Sequence, residues 1–254
     1  MGLTLSSRLS LRLAGGSAWS PLALGASLLG WWDAERSDLI TQSGGLVSSW
    51  KDVVARYDAV QTTGSQKPVY SASSFNARPG LTFDGVDDFL GLESVPFPTG
   101  GSKGEIWALA SQSALPADTG TRIFASYGGT NTTGSRRLQR VVSGGVNRAR
   151  FILGDGVGGA ATGSNNAVDL SGAHVLRAIA DASGANVEVD GTSGVPAAVI
   201  QNTGTTRTRI GSDTGATAGN FFSGVFAALI VTNVLTTTQS AQLLAYLKAR
   251  GGIS

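Results

Sequence analysis

Apolar and polar residues alternate along much of this chain with the two-residue period of a β-strand. At the start, Leu3, Leu5, Leu9, Leu11 and Leu13 interleave with Thr4, Ser6, Arg8, Ser10 and Arg12, which predicts a strand with one apolar face. Gly15 and Gly16 end it, and Ser20-Pro21 marks a turn ahead of Trp31-Trp32. Residues 1–24 therefore read as an N-terminal arm joined to a main domain of residues 25–254, and the same pattern also fits a first strand of that domain. Further on, short apolar runs recur at 80–83, 106–110, 123–125, 151–153, 175–180, 187–189, 199–200 and 221–231, nearly all bounded by Gly, Asn, Asp, Ser or Pro. Many short strands with no helical period between them predict an all-β fold, an antiparallel two-sheet sandwich, and exclude a parallel α/β architecture.

One helix is expected, at the C-terminus. Thr236 can cap it, Gln239 three residues later completes a capping box, and Leu243, Leu244 and Leu247 form an apolar stripe. Lys248 and Arg250 complement the helix dipole, and Gly251 offers a left-handed stop.

Composition adds three constraints. Hydrophobic residues make up 41% of the 254 and charged ones 14%, enough apolar material for a packed core. The 36 glycines are scattered, as a fold with many tight turns requires. With no cysteine, disulfides and thiolate metal sites are excluded, and stability has to come from packing and oligomerisation. A net charge of +2 does not single out nucleic acid as a partner. Arg8 and Arg12 ahead of the apolar stretch 22–32 have the flavour of a secretory signal, but Pro21, Gly25, Ser27 and Gly30 interrupt that stretch. An uncleaved start is expected, and no run approaches the roughly 20 apolar residues of a membrane helix, so no membrane insertion is expected.

Four segments carry a resemblance. Leu29-Gly30-Trp31-Trp32-Asp33-Ala34 followed by Ser49-Trp50-Lys51-Asp52, then Arg78-Pro79-Gly80-Leu81-Thr82-Phe83-Asp84-Gly85-Val86-Asp87-Asp88-Phe89-Leu90, then Ile210-Gly211-Ser212 with Phe222-Ser223-Gly224-Val225, and last Leu244-Ala245-Tyr246-Leu247, occur in one order. In that order they resemble the laminin-G-like and concanavalin A-like jelly-roll lectins. Alternation supports the fold independently: Leu81 and Phe83 point inward, Asp84-Gly85 makes a tight turn, and Phe89 re-enters the core. Trp19-Ser20-Pro21-Leu22 leading to Trp31-Trp32-Asp33 also resembles the opening of structural proteins of tailed bacteriophages and gene-transfer particles. That resemblance implies a virion component assembled in the host cytoplasm.

Candidate chemistry is sparse. Glu188-Val189-Asp190 puts two carboxylates on one face of a strand, but Thr192 and Ser193 stand where depolymerases of this fold carry a third acid, and Asp190-Gly191 reads as a hairpin turn. His174 is the only histidine and falls at a strand start, where a structural role is expected. Asp84, Asp87 and Asp88 have the spacing of turn formers, so no metal is assigned to them, and no cofactor is expected. Arg136, Arg137, Arg140, Arg148 and Arg150 flank the Ser143-Gly144-Gly145 turn; in a hairpin Arg148 and Arg150 share a face and adjoin Arg136 or Arg140. Such a stripe suits an acidic glycan, with Tyr127 as a stacking surface and Asp155 accepting from hydroxyls.

The expectation is therefore a non-catalytic virion structural protein, a head spike, head fibre or tail component, whose lectin-like domain binds host surface polysaccharide. Leu3, Leu5, Leu9, Leu11 and Leu13 would attach it to other virion proteins by strand addition. Copies in a homo-oligomer on the virion surface would add avidity. A decoration or adaptor without glycan binding, and a polysaccharide depolymerase, are the alternatives.

Overall fold

The computed structural model describes residues 19–92, 97–112, 120–129, 134–143, 146–154, 160–165, 170–198, 202–215 and 217–254. The strands are β1 (Leu28–Asp33), β2 (Ile40–Ser43), β3 (Leu46–Lys51), β4 (Asp58–Val60), β5 (Val69–Phe75), β6 (Arg78–Asp84), β7 (Leu90–Leu92), β8 (Gly104–Gln112) and β9 (Arg122–Gly128). They continue with β10 (Ser135–Ser143), β11 (Val146–Gly154), β12 (Ala160–Asn165), β13 (Ala173–Asp181), β14 (Gly184–Val189), β15 (Thr192–Ser193), β16 (Arg207–Ile210) and β17 (Ser223–Thr232), and the chain closes with helix α1 (Thr237–Gly251).

Every strand pairing is antiparallel, and the pairings trace two layers. In the first, β17 lies between β8 on one edge and β1 and β6 on the other, and β8 leads on through β13 and β14 to β15. In the second the order is β12–β11–β10–β9–β16–β7–β4–β3–β2. Strand β5 joins them, pairing with β6 and touching β3. The expected all-β sandwich is the architecture observed.

Between the layers lies the main core. Ile106, Ala108 and Ala110 of β8 meet Phe226, Leu229 and Val231 of β17 and, from the opposing layer, Phe124, Leu138 and Phe151. Leu81 and Phe83 point into this core as alternation predicts. The opposite face of β8 and β17 is also dry: Trp107, Leu109, Ala228 and Ile230 pack with Leu243 and Leu247 of α1. Burial on both faces explains why 106–110 and 225–231 read as unbroken apolar runs. A bulge between Phe226 and Ala228 shifts the phase of β17 so that both faces are filled.

Under the start of α1 sits a charged network. Glu105, 1% exposed, accepts from Trp107 Nε1 at 2.8 Å, from the Leu235 amide at 3.0 Å, and from Arg177 Nη2 at 2.7 Å and Nε at 3.1 Å. The Arg177 guanidinium lies 4.7 Å from the Trp107 ring and also reaches Glu188 Oε2 at 3.0 Å. Burial disfavours its charge, yet the carboxylates of Glu105 and Glu188 outweigh that and hold its pKa above the usual arginine value.

Thr236 and Gln239 form the expected capping box, Gln239 N donating to Thr236 Oγ1 at 3.3 Å and Thr236 N to Gln239 Oε1 at 3.1 Å. The left-handed stop is Gly252, at φ 65°, one residue after the Gly251 expected from sequence. Gly251 instead ends the helix, buried against Leu109 and Ile253. Trp19, assigned to the arm by sequence, packs edge-on against Tyr246 at 5.7 Å, and Leu24 is buried beside Leu28. The leucines at 3, 5, 9, 11 and 13 lie outside the described residues. Among the described residues no helix is long and apolar enough to cross a membrane.

Leu243 fills the space between α1 and the first layer with no exposed surface. Leu243→Ala should lower the unfolding free energy by about 2–5 kcal/mol, measured by urea denaturation.

Candidate functional site

The β10–β11 hairpin decides where the arginines go. Its register pairs Leu138 with Phe151, both in the inter-layer core, so residues two away on each strand share that inward face. Arg136 pairs with Leu153 and Arg140 with Ala149, and both arginines point inward. Arg148 and Arg150 pair with Val141 and Gln139 on the outer face. The predicted stripe of Arg148 and Arg150 with Arg136 or Arg140 is therefore corrected: the two pairs occupy opposite faces of the sheet.

Arg136 has no exposed surface and donates Nε to Thr203 Oγ1 at 2.9 Å, Nη1 to Tyr127 Oη at 3.0 Å, and Nη2 to the Ser102 carbonyl. Arg140 is 5% exposed, with Nη1 3.4 Å from the Gly120 carbonyl oxygen. Tyr127 cannot serve as a stacking platform, because its ring is buried between the layers, edge-on to Phe97 at 5.1 Å. Burial pushes its phenol pKa up. Asp155 lies outside the described residues.

The outer face gathers a different set. One row across the sheet runs Val60, Gly91, Arg209, Ser126, Arg137, Ile152, each opposite the next on the neighbouring strand. Arg207 stands on the same face as Arg209, and Arg150 lies diagonal to Arg137. Sequence reading grouped Arg137 with the hairpin arginines but gave it no site role, and it passed over Arg207 and Arg209. The alternation Arg207-Thr208-Arg209-Ile210, with Ile210 in the core, was the signal for the last two.

Residues 211–215 and 217–220 fold back over this row. Arg209 Nη1 donates to the carbonyls of Asp213 at 2.8 Å and Gly215 at 2.9 Å, and Ser126 Oγ donates to the Ser212 carbonyl at 2.7 Å. Asp213 accepts from Asn220 Nδ2 at 2.8 Å and from the Gly215 amide at 3.2 Å. Arg137 is 6% exposed and donates Nε to Ser135 Oγ at 2.9 Å. Its Nη2, like Arg150 Nε, is buried and has no hydrogen-bond partner among the described residues. Burial pulls the Arg137 pKa down, and the Asp213 charge opposes that only in part.

Beside the row opens a cleft of about 210 Å³ lined by Val60, Gln61, Thr62, Phe89, Gly91, Leu92 and Arg207 to Arg209. Phe89 was expected to re-enter the core; Leu90 does so instead, and Phe89 is half-buried on the cleft wall with the Arg209 guanidinium 5.0 Å from its ring. Gln61 fixes that wall, donating Nε2 to the Phe89 carbonyl at 3.3 Å and accepting from the Thr63 amide at 3.0 Å.

The other candidate residues sit elsewhere. Asp84 Oδ1 accepts from the amides of Val86 at 2.8 Å, Asp87 at 3.2 Å and Asp88 at 3.4 Å, the architecture of an aspartate-capped turn. Gly85 takes φ 79° there, and a Cβ would lie 2.7 Å from Ser223 Cβ. The carboxylates of Asp84, Asp87 and Asp88 lie within 4.8 Å of one another. Asp190 and Gly191 form the hairpin turn at φ 52° and 88°, joining Val189 to Thr192. Asp190 Oδ2 lies 2.6 Å from His174 Nδ1, and Oδ1 accepts from the Val175 amide at 2.8 Å. Burial raises the Asp190 pKa, but these bonds and the charges of His174 and Lys248 leave it below the usual value.

No protein-family model and no curated protein matches this chain. Solved structures share its fold. Trypanosoma rangeli sialidase in complex with sialic acid matches 93% of this chain and 34% of its own, with a TM-score of 0.55 at 15% identity. The enzymatically active domain of bacteriophage CBA120 tailspike protein 2 matches 85% of this chain and 32% of its own, at 0.52 and 18% identity. The botulinum neurotoxin type G receptor binding domain matches 87% of this chain and 51% of its own, at 0.56 and 10% identity. This chain thus spans about a third of the sialidase and tailspike chains. The expectation of a non-catalytic protein is corrected by these likenesses: the fold is one found in sialidases and in a tailspike's enzymatic domain, so the lack of a local acid motif does not exclude catalysis.

Asp88, in the turn that precedes Phe89, carries a pH signature. Burial raises its pKa from 3.8 to about 6; the Asp84 amide it accepts from lowers it, and the charges of Asp84 and Asp87 raise it further. The folded chain then holds this proton more tightly than the unfolded one, so ionising Asp88 costs stability, a cost that grows as pH rises from about 4 to about 6. Asp88→Asn keeps an oxygen for the Asp84 amide and removes that cost. Its melting temperature should exceed that of the unsubstituted protein at about pH 7 and lose the advantage near pH 4, followed by calorimetry.

Proposed function

We propose that this chain is a carbohydrate-binding module of a virion surface protein, a head spike, head fibre or tail component that engages host cell-surface polysaccharide along the outer face of the second layer. The observation that carries this reading is the cleft beside the arginine row. It combines a half-buried aromatic ring, Phe89, with the exposed Thr62 and the half-buried Arg207, all on or next to paired strands. An apolar wall with a few convergent polar groups is what a sugar ring requires, since one ring face presents C–H bonds and its rim presents hydroxyls. The volume, about 210 Å³, lies below the roughly 300 Å³ at which drug-sized pockets begin, so the cleft suits a single sugar unit while the rest of the polymer runs over the sheet.

The likenesses support the same reading. One neighbour is described in complex with sialic acid, one is a receptor binding domain and one is a phage tailspike domain. For the virion role, the tailspike likeness joins the resemblance carried by Trp19-Ser20-Pro21-Leu22 and Trp31-Trp32-Asp33. An adaptor without glycan binding would present a broad apolar face. Among the exposed large apolar residues described, Leu22, Leu46, Val60, Val69, Val86, Val195 and Val234, Leu46 and Val69 face each other across paired strands and the others are not paired with one another. In a homo-oligomer, each copy would contribute one weak site and the assembly the avidity.

The test is binding of the full-length protein to a panel of bacterial capsular and lipopolysaccharide glycans, with chain-length analysis of every bound glycan to detect cleavage. At least one glycan should bind, and Phe89→Ala, with its fold verified by circular dichroism, should weaken that binding by about tenfold, or roughly 1.4 kcal/mol. Absence of binding to every glycan, or equal affinity in the variant, would contradict the reading.

A further inference from the structure

Two arginines one position apart on β10 have opposite fates. Arg136, on the inner face, has each of its guanidinium nitrogens bonded, to Thr203, Tyr127 and Ser102. Arg137, on the outer face and 94% buried by its 6% exposure, has one bond to Ser135 and a buried Nη2 without an acceptor among the described residues. Arg150, diagonal to it on β11, likewise has a buried Nε without an acceptor. Arg148 follows on the same face, so three guanidinium groups occupy two adjacent strands. The carboxylate whose charge Arg137 feels, Asp213, is already held by Asn220 and Gly215. A structural arginine ends as Arg136 does, satisfied on all sides. Buried guanidinium nitrogens without acceptors, clustered with like charge, have the donor chemistry that an anion matches.

We propose that Arg137 and Arg150 form an oxyanion subsite that takes the carboxylate of an acidic sugar unit, with the charge of Arg148 beside them. Planar guanidinium forks match a planar carboxylate with two parallel hydrogen bonds, which a lysine does not reproduce. Arg150 is half-buried and gives access from solvent, while Arg137 forms the floor. Gln139 stands between Arg137 and Arg150 on the same face, directly opposite Arg150, where its amide can meet a second oxygen. The subsite and the Phe89 cleft lie on one face of the sheet, on either side of Arg209 and Ser126, which residues 212–215 cover. Its assignment to a glycan rests on the function proposed above; its affinity for an anion does not.

Two measurements on the full chain separate those claims. The first compares the melting temperature in sodium glucuronate with that in glucose plus sodium chloride at equal ionic strength, for the unsubstituted protein, Arg150→Gln and Arg150→Lys. Glucuronate should raise the melting temperature of the unsubstituted protein, Arg150→Gln should abolish the rise, and Arg150→Lys should restore only part of it. The second measures binding of polysialic acid and of its carboxyl-reduced form. The acidic polymer should bind at least about tenfold more tightly than the reduced one, with an affinity that falls as salt rises and drops by a similar factor in Arg150→Gln. Equal melting shifts in glucuronate and glucose, or a shift that survives Arg150→Gln, would overturn the subsite. Polymer binding indifferent to the carboxyl and to Arg150 would overturn the subsite and leave glycan binding standing. A glucuronate shift that depends on Arg150, with no polymer bound, would sustain the anion subsite and count against the glycan reading.

Discussion

The structure depends on the antiparallel pair β8–β17, which is buried on both faces. Toward the second layer it presents Ile106, Ala108, Phe226 and Leu229, and toward α1 it presents Trp107, Leu109 and Ile230. Such a pair tolerates few charges, and the one it carries, Glu105, is satisfied by four hydrogen bonds from Trp107, Leu235 and Arg177. Leaving a buried carboxylate unpaired would cost several kcal/mol, so the position of α1 and the pairing of β13 to β8 are tied to this residue. With α1 on the outside of the first layer, the polar chemistry of the fold collects on the outer face of the second, around β16, β9, β10 and β11.

Much of this was legible in the sequence. Thr236 and Gln239 act locally, and a capping box needs no tertiary information. Leu81 and Phe83 follow strict alternation, and the turns at Asp84-Gly85 and Asp190-Gly191 follow from side-chain and backbone preferences of those residues. Two local readings slipped by one residue: Gly252 rather than Gly251 stops the helix, and Leu90 rather than Phe89 returns to the core. Both slips come from tertiary packing, which chooses between adjacent residues that are each locally acceptable.

The site was legible only in part, because it depends on register. Arg148 and Arg150 do share a face, but their neighbours are fixed by the closure of the hairpin at Ser143 and Val146. That closure sends Arg136 and Arg140 inward and leaves Arg137 outside; a shift of one residue would have exchanged them. Tyr127 followed Arg136 into the core for the same reason, through its pairing on β9. Sheets bring acids together from distant segments, as Arg177 brings Glu105 and Glu188 together across β8, β13 and β14. A missing local motif was therefore weak ground for expecting no catalysis.

The central claim is that ligands meet the protein on the outer face of the second layer. Hydrogen–deuterium exchange of the full chain, with and without a saturating acidic polysaccharide, tests it most directly. The account predicts added protection at residues 61–62, 89–91, 135–154 and 207–215, with the helix α1 side unchanged. Protection centred on α1 and β13, or none near β10 and β11, would contradict it.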